Sequence, residues 1–319
     1  MLDLYKSCNL CPKNCGVNRL AGEIGFCGET GELRIGSAVI HKGEEPPLVG
    51  TGGSGTIFVT GCNLGCVFCQ NYQLSKGGQA GLGKAVSADG FAEICSLLQG
   101  KGAENINIVT GSHAVPALVE GFDAARKAGV EIPILWNSSG YESTQTLEIL
   151  KDYIDIYLPD LKTLDSNVAQ KYFNAPDYPE TAKAAILKMI DILKEKMLNE
   201  KPLNGARGKI IIRHLVLPGL LESTRSVLRW FSENIKEHVL LSLMTQYTPI
   251  PNRNAEMPDR FLSEEEYKIV LEWLEEFEID DGFCQELVTG SDWLPDFKLN
   301  NPFSSELSVP VWHFSTSRI

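Results

Sequence analysis

The stretch TIFVTGCNLGCVFCQNY, residues 56–72, decides how the chain is expected to fold. It opens with a short β-branched run, typical of a strand that is buried on both faces. Cys62, Cys66 and Cys69 follow on one tight loop with the spacing C-x3-C-x2-C. Three thiolates can hold three corners of an iron–sulfur cube, whereas a structural zinc site normally closes with four protein ligands. The loop therefore predicts an iron–sulfur cluster with one iron left open.

Other residues of the loop agree with this prediction. Gly61 and Gly65 are expected to let the backbone wrap closely around a cluster. Phe68, just before the last cysteine, is expected to shield the cluster from water. The alternative is a zinc knuckle that borrows a fourth ligand from the N-terminal cysteines.

The rest of the chain alternates strand and helix patterns. Further short apolar runs occupy residues 106–110, 132–137, 154–159, 209–216 and 238–245. Helical patterns lie between and after them, beginning near Ser87, spanning 115–128, 181–196 and 222–235, and ending with a capping box at Ser263 and Glu266. Six such repeats predict an α/β fold with a parallel sheet, either a partial (β/α)6 TIM-like barrel or a doubly wound sheet. In both, reactive residues lie at the carboxyl ends of the strands.

We predict three parts in the chain. Residues 1–50 are expected to form a loop-rich, cysteine-rich N-terminal module, because Pro and Gly crowd the stretch HKGEEPPLVGTGGSG. Residues 51–280 form the barrel, and 281–319 form a C-terminal extension without a clear pattern.

Composition excludes some classes of protein. With 41 acidic and 29 basic residues among 319, the net charge of −12 disfavours nucleic acid as a partner. No apolar run is long enough to span a membrane and no secretory signal is visible, so we expect a cytoplasmic protein without membrane contact. Nine cysteines, an odd number, fit a disulfide framework poorly.

A second cysteine cluster precedes the first. Cys8, Cys11, Cys15 and Cys27 follow the spacing C-x2-C-x3-C-x11-C. Four thiolates close a coordination sphere, so this site suits zinc or a fully ligated iron–sulfur cluster. It would serve either as an auxiliary electron carrier or as a staple for a module too small to fold alone. The remaining Cys95 and Cys284 are expected to be small core residues.

The motif C-x3-C-x-aromatic-C after the first strand resembles that of the radical S-adenosylmethionine (SAM) superfamily. More closely, residues 41–72 and the segment CNLCPKNCGVNR, residues 8–19, resemble the PflX-like proteins, homologues of pyruvate formate-lyase activating enzyme. The resemblance implies a partial barrel in which a 4Fe–4S cluster reduces SAM to a 5′-deoxyadenosyl radical. That radical abstracts hydrogen from a substrate, which is a glycine of a glycyl-radical protein in the activating enzymes.

The same resemblance implies a low-potential electron donor of flavodoxin or ferredoxin type. One alternative function is radical modification of a small molecule or peptide. Another is a non-catalytic iron–sulfur or zinc protein, for which the strand-end residues would point elsewhere.

The resemblance also assigns residues at the other strand ends to SAM. Thr110, Gly111 and Ser112 are expected near its methionine amino group, although the Glu that relatives carry there is missing, and His113 beside them is expected to pack. Asn137 follows the third strand and is the candidate for the ribose hydroxyls. The SAM-binding set is completed by residues of the fourth and fifth strands, Asp160, Lys162 and Arg213. A buried Arg213 needs an anionic partner, so the alternative to a SAM contact there is a structural ion pair.

Overall fold

The computed structural model describes residues 1–199, 209–250 and 257–316. The predicted barrel range includes residues 200–208 and 251–256, and the predicted C-terminal extension includes 317–319; these lie outside the described residues.

Ten strands form in the described ranges. They are β1 Leu33–His41, β2 Ser54–Val59, β3 Lys84–Val86, β4 Ile106–Val109, β5 Ile134–Ser138, β6 Ile156–Pro159, β7 Ile211–Leu215, β8 Leu240–Met244, β9 Gly282–Cys284 and β10 Ser308–His313. All six predicted strands are confirmed, as β2, β4, β5, β6, β7 and β8.

Eight α-helices accompany these strands within the described residues. They are α1 Pro46–Val49, α2 Ala88–Gly100, α3 Val115–Lys127, α4 Thr144–Leu150, α5 Ser166–Phe173, α6 Tyr178–Asn199, α7 Leu221–Asn234 and α8 Glu264–Glu276. The predicted helix starts hold: the Ser87 side chain accepts from Gly90 N–H, and Ser263 and Glu266 form the predicted capping box.

The parallel strands form one curved array. β2, β4, β5 and β6 pair in parallel in that order, and β7, β8 and β9 continue in parallel. Two isolated parallel bridges, Tyr157 to Ile210 and Asp160 to Arg213, join the two sheets. The predicted α/β class is therefore confirmed, with a mixed sheet whose parallel part is consistent with the predicted partial barrel.

Successive strand residues alternate between the two faces of this array. One face packs against the helices through residues such as Ile108, Trp136, Tyr157 and Ile212. On the other face, Leu135, Leu158 and Ile211 form a small apolar cluster with Leu48 of α1. Because α1 precedes β2, Leu48 fills the interior from the amino ends of the strands. The polar interior residues then lie nearer the carboxyl ends.

The expectation of a loop-rich stretch over residues 1–50 is wrong for residues 33–41. They form β1, which lies between β2 and β10 and pairs antiparallel with both. β10 was likewise not predicted, since Pro310 interrupts its apolar pattern; proline is tolerated there because β10 is an edge strand. The boundary predicted at residue 50 thus falls between two paired strands, while the three-part division stays a prediction.

The two isolated cysteines behave differently. Cys95 is buried in α2, as predicted, but Cys284 is exposed on β9, so its predicted core position is wrong. The physical reason is that β9 is the edge strand of its sheet and has no neighbour on one side. Across the described residues, no helix combines the length and apolar character needed to cross a bilayer.

Candidate active site

The three-cysteine loop leaves the carboxyl end of β2. Gly61 opens it at φ +82°, and a Cβ there would lie 2.6 Å from Glu29 Cγ and 2.8 Å from the Cys27 oxygen, so only glycine fits. Cys62, Cys66 and Cys69 are half-buried free thiols on this turn. Burial raises the pKa of Cys69 to about 11. The structure therefore gathers three sheltered sulfur ligands on one short turn.

Aromatic side chains wall the loop from one side. Phe68 is buried, with its ring centroid 5.6 Å from that of Phe173 and 6.2 Å from that of Tyr247. The loop backbone is also fixed there, because Val67 N–H donates to the Tyr172 oxygen at 3.0 Å. Phe68 is therefore held in place by aromatic packing, and its shielding of a cluster stays a prediction.

Asn137, Asp160, Lys162 and Arg213 come together in one hydrogen-bonded network. Lys162 Nζ lies 2.6 Å from Asp160 Oδ2, and Arg213 Nε lies 3.1 Å from Asp160 Oδ1. Arg213 Nη2 donates to Asn137 Oδ1. These contacts follow from the topology, since β5, β6 and β7 are neighbours. The predicted anionic partner of Arg213 is thus Asp160.

A second carboxylate in this network was not predicted. Glu44, between β1 and α1, approaches Arg213 Nη1 at 3.5 Å and accepts from Asn107 Nδ2 at 3.0 Å. Sequence reasoning missed it because two adjacent glutamates beside two prolines are typical of a solvated loop. The signal that points to it is the arginine within the apolar fifth strand, because one carboxylate does not satisfy all five N–H donors of Arg213.

The electrostatics of the network are mutually supporting. Burial alone would raise the pKa of Asp160, but Lys162 and Arg213 together hold it below its ordinary value. Burial would likewise lower the pKa of Arg213, yet Asp160 and Glu44 raise it. Asp160, Lys162 and Arg213 are therefore charged in the folded protein, and Asp160 contacts both cations, whereas burial raises the pKa of Glu44.

Lys162 connects this network with the cysteine loop. Its ammonium acts electrostatically on the Cys66 sulfur, and Tyr178 accepts its backbone N–H at 2.9 Å. On the opposite side, Gln70 Nε2 of the loop donates to the Gln246 oxygen beyond β8 at 2.8 Å. Lys162, which follows the carboxyl end of β6, therefore lies within electrostatic range of the cysteine loop.

The loop after β4 lies beside the same network. Thr110 N–H donates to the Asn137 oxygen at 3.0 Å, and Thr110 has φ +63°, a conformation that β-branched residues rarely adopt. Such backbone strain costs on the order of 1–3 kcal/mol and tends to occur at functional sites. Gly111 packs on Trp136, where a Cβ would come within 2.6 Å of the indole. The segment is therefore held in one shape by its surroundings.

Ser112 is tied to a carboxylate that sequence reasoning also missed. Its hydroxyl donates to Glu142 at 2.8 Å, and Glu142 also accepts from Trp136 Nε1 at 2.6 Å and the Ser138 hydroxyl at 3.0 Å. Burial raises the pKa of Glu142, and the three donors oppose that rise. Nothing in the sequence separates this residue from an ordinary glutamate before a helix. His113 is buried, as expected, and its Nε2 lies 2.8 Å from the Thr60 oxygen.

The four N-terminal cysteines lie directly beside the three-cysteine loop. Cys8, Cys11 and Cys27 are buried and Cys15 is exposed, all as free thiols. The Cys27 oxygen accepts Cys62 N–H at 3.3 Å, so the two segments share a backbone hydrogen bond. In the parts of the chain that the structure describes, no three His, Cys, Asp or Glu side chains are already gathered around one single-ion position.

Comparison with known proteins identifies relatives over most of the chain. The family model of the radical SAM superfamily matches residues 56–231, from β2 into α7. An uncharacterized protein of Methanocaldococcus jannaschii is 30% identical over 287 residues, which cover 87% of this chain and 77% of that protein. The crystal structure of methylornithine synthase is similar with a TM-score of 0.49 at 14% identity, covering 78% of each chain.

Proposed function

The chain belongs to the radical SAM superfamily, and from this premise we propose that Cys62, Cys66 and Cys69 bind its 4Fe–4S cluster. Membership implies an enzyme that uses SAM as a co-substrate for radical chemistry. When bound, the cluster supplies the electron for reductive cleavage of SAM. The observation that carries the proposal is the position of the three free thiols on one turn, with the buried Lys162 acting electrostatically on Cys66.

The donor set fits this cofactor. Three sulfur ligands from one loop leave the fourth position of a cube without a protein ligand, which is where a co-substrate binds. Gly61 and its φ of +82° let the turn close, and Phe68 covers one side. Each thiolate would bind a different iron, so the sulfur atoms need not meet around a single ion.

The polar residues fit the ends of SAM. We assign the SAM carboxylate to Lys162, whose ammonium lies between Asp160 and the cysteine loop. Arg213 and Asn137 form the adjoining polar wall, with Asn137 the candidate for the ribose hydroxyls. The Thr110–Gly111–Ser112 segment is the candidate for the methionine amino group. Because the Ser112 hydroxyl already donates to Glu142, its main contribution would be to hold this segment in shape.

These residues have three tasks in the proposed reaction. Asp160 orients Lys162 and Arg213, and it keeps both charged at neutral pH. Phe68 and its aromatic neighbours exclude water from the sulfur ligands. Exclusion of water strengthens the charge interactions inside the site and protects reactive species from side reactions. The convergence of Lys162 and Arg213 also argues against a non-catalytic protein, for which they would point elsewhere.

For the substrate, we propose a glycine of a partner protein, as in the activating enzymes. The support is the resemblance of residues 8–72 to the PflX-like proteins, together with a low-potential flavodoxin or ferredoxin as the electron donor. The alternative is radical modification of a small molecule or peptide. We further propose that the four N-terminal cysteines hold a second metal, either zinc or an iron–sulfur cluster.

Reductive cleavage of SAM tests the assignment of the three cysteines. Wild-type protein, reconstituted anaerobically with iron and sulfide and supplied with dithionite, is expected to release methionine and 5′-deoxyadenosine. Cys66→Ala should release neither, whereas Cys284→Ala should match the wild type because Cys284 is exposed and distant in the sequence. Cleavage that persists in Cys66→Ala would exclude the assigned ligand set.

Deuterium transfer tests the substrate class. A glycyl-radical protein labelled with deuterium at its glycine α-carbon should yield deuterated 5′-deoxyadenosine and a persistent glycyl signal in electron paramagnetic resonance. Active protein that gives unlabelled 5′-deoxyadenosine and no such signal with this substrate would favour the small-molecule or peptide alternative.

A further inference from the structure

The N-terminal segment contains a buried cation without a carboxylate partner. Arg19 is 1% exposed, and its guanidinium donates to the backbone oxygens of Thr30 and His113. Within the described residues Arg19 forms no salt bridge with a carboxylate, although Glu29 acts on its charge from beyond ion-pairing distance. Removing a guanidinium from water is costly unless an anion compensates the charge. Neutral carbonyl oxygens satisfy its hydrogen bonds but not its charge.

Two cysteine sulfurs of the N-terminal segment also act on the charge of Arg19. Arg19 Nη1 lies 3.8 Å from Cys8 Sγ, and its charge also acts on Cys27. The Tyr5 ring stacks 4.3 Å from the guanidinium carbon as a neutral phenol. Glu29 lies within electrostatic range, but its carboxylate accepts the Thr60 hydroxyl and also faces Arg34.

The Cys15 and Cys27 sulfur atoms lie close to the backbone at Gly25. A Cβ on Gly25 would lie 2.8 Å from Cys15 Sγ and 3.9 Å from Cys27 Sγ, so these two sulfurs face the same small space. Gly16 N–H donates to the Cys8 oxygen at 3.0 Å, which folds residues 8–16 into a closed turn. Cys15 Sγ also lies 3.9 Å from the Cys8 oxygen. Glycine at position 25 keeps this space open for an occupant.

We propose that Cys8, Cys11, Cys15 and Cys27 hold their metal as thiolates and that Arg19 is the counter-charge of this centre. The inference rests on the second metal site proposed above and deepens it. Both a zinc ion and a 4Fe–4S cluster carry net negative charge when four thiolates hold them. That negative charge supplies the anion that the buried guanidinium lacks.

Arg19 also connects this centre to the candidate active site. Its Nη1 donates to the His113 oxygen, in the segment that follows Thr110–Gly111–Ser112. The Cys27 oxygen accepts Cys62 N–H, so a second path leads to the three-cysteine loop. An occupied N-terminal centre therefore fixes the N-terminal segment against both loops that we assign to the cluster and SAM.

Metal analysis of the whole chain is the first test. Anaerobically prepared wild-type protein should contain the iron and sulfide of one 4Fe–4S cluster plus either a second such set or one zinc ion. The variant with Cys62, Cys66 and Cys69 all replaced by Ala should keep only the second set or the zinc. Further replacement of Cys27 by Ala should remove it. A wild-type chain that holds only the first cluster would overturn the inference, whichever variants fold.

Substitution of Arg19 separates charge from hydrogen bonding. Arg19→Lys keeps the charge but loses the planar fork, and Arg19→Gln keeps donors but loses the charge. Because a charge-assisted hydrogen bond is about twice as strong as a neutral one, loss of the charge predicts that Arg19→Gln releases this metal to a chelator roughly tenfold faster than wild type. The rate of metal release from Arg19→Lys should lie between those of wild type and Arg19→Gln. Arg126→Gln is the control, because Arg126 also donates to two backbone oxygens but has Val130, Ile132 and Asp155 as partners and none of the four N-terminal cysteines.

The order of the variants decides the role of Arg19. If Arg19→Gln retains the metal as well as Arg19→Lys or better, Arg19 serves only as a hydrogen-bond donor and the counter-charge proposal is wrong. The failure of this inference is distinguishable from that of the proposed function. SAM cleavage depends on the first three cysteines, whereas chelator release reports on the other four.

Discussion

Replacing Asp160 with asparagine removes a carboxylate that two buried cations contact. Lys162 Nζ lies 2.6 Å and Arg213 Nε 3.1 Å from its two oxygens. The side chains of Asp160 and Lys162 are 16% exposed and that of Arg213 is 15% exposed, so solvent screens these contacts only weakly. After the substitution, Arg213 keeps Glu44 at 3.5 Å, but Lys162 loses its carboxylate partner.

The size of the effect follows from this geometry. Breaking a buried ion pair by removing one partner typically costs about 3–5 kcal/mol, because a charge is left buried without compensation. The asparagine amide oxygen can still accept one hydrogen bond, so we expect a loss near the lower limit, about 3 kcal/mol in the free energy of unfolding.

Urea denaturation of the metal-free protein measures this loss. Circular dichroism and tryptophan fluorescence should give coincident transitions, with a lower midpoint and an unchanged slope for Asp160→Asn. Glu148→Gln is the matched control, since Glu148 also contacts two lysines, Lys151 and Lys188, but on the surface. Exposed pairs of this kind contribute little, so the control should lose far less stability. Equal losses in the two variants would refute the reasoning.

The pH dependence gives a second readout of the same substitution. Burial raises the pKa of Asp160, but the neighbouring Lys162 and Arg213 lower it by more than burial raises it. The pKa of Asp160 in the folded protein therefore lies below its unfolded value of about 3.9. The stabilisation is therefore complete above that pH and is lost as pH falls through the folded pKa. The difference between wild type and variant should stay constant from about pH 8 to 5 and shrink below about pH 4.

Three further predictions concern other parts of the molecule. Gly61→Ala should lower the iron content of reconstituted protein, because its Cβ would lie 2.8 Å from the Cys27 oxygen; Gly100→Ala, which has open space, should not. Ser263→Ala should lower the free energy of unfolding by about 1 kcal/mol through loss of the capping box, measured in a thermal melt. Ser226→Ala, inside α7, is the control and should lose less, so equal shifts in melting temperature would contradict this. Burial lowers the pKa of His214 to about 4, so its stabilising effect is complete above about pH 6.5 and is lost as pH falls towards 4. Between pH 7 and 4.5, the melting temperature of His214→Gln should therefore fall less than that of wild type. An equal fall in the two proteins would exclude this role for His214.

The parallel core could be predicted because its signals are local. Each interior strand is a short, mostly apolar run, and Ser87 and Ser263 mark helix starts through hydrogen bonds within three residues. The three-cysteine loop could be predicted for the same reason, because its three cysteines lie within eight residues of sequence. Asn137, Asp160, Lys162 and Arg213 could be placed near one another because adjacent parallel strands end at the same edge.

The features that the sequence analysis did not predict depend on contacts between residues far apart in the sequence, which the local sequence pattern does not reveal. Glu44 reaches Arg213 across 169 residues of sequence, and Glu142 is defined by Ser112 and Trp136 on other elements. The φ of +63° at Thr110 follows from the surrounding packing, since Thr itself disfavours it. β1 was hidden because its neighbours in sequence are rich in Cys, Gly and Pro.

The placement of β1 has a consequence for synthesis on the ribosome. Residues Ser37 to His41 of β1 pair with β10, and residues Leu33 to Ile35 of β1 pair with β3. Residues 42–307 must be translated before residues 308–313 can reach this edge. Until then, a nascent chain presents unpaired backbone groups along the second half of β1, from Ser37 to His41, and such an edge is a template for pairing with other chains. Chaperone protection of this edge is therefore most needed late in translation, when the metal-binding loops have long emerged.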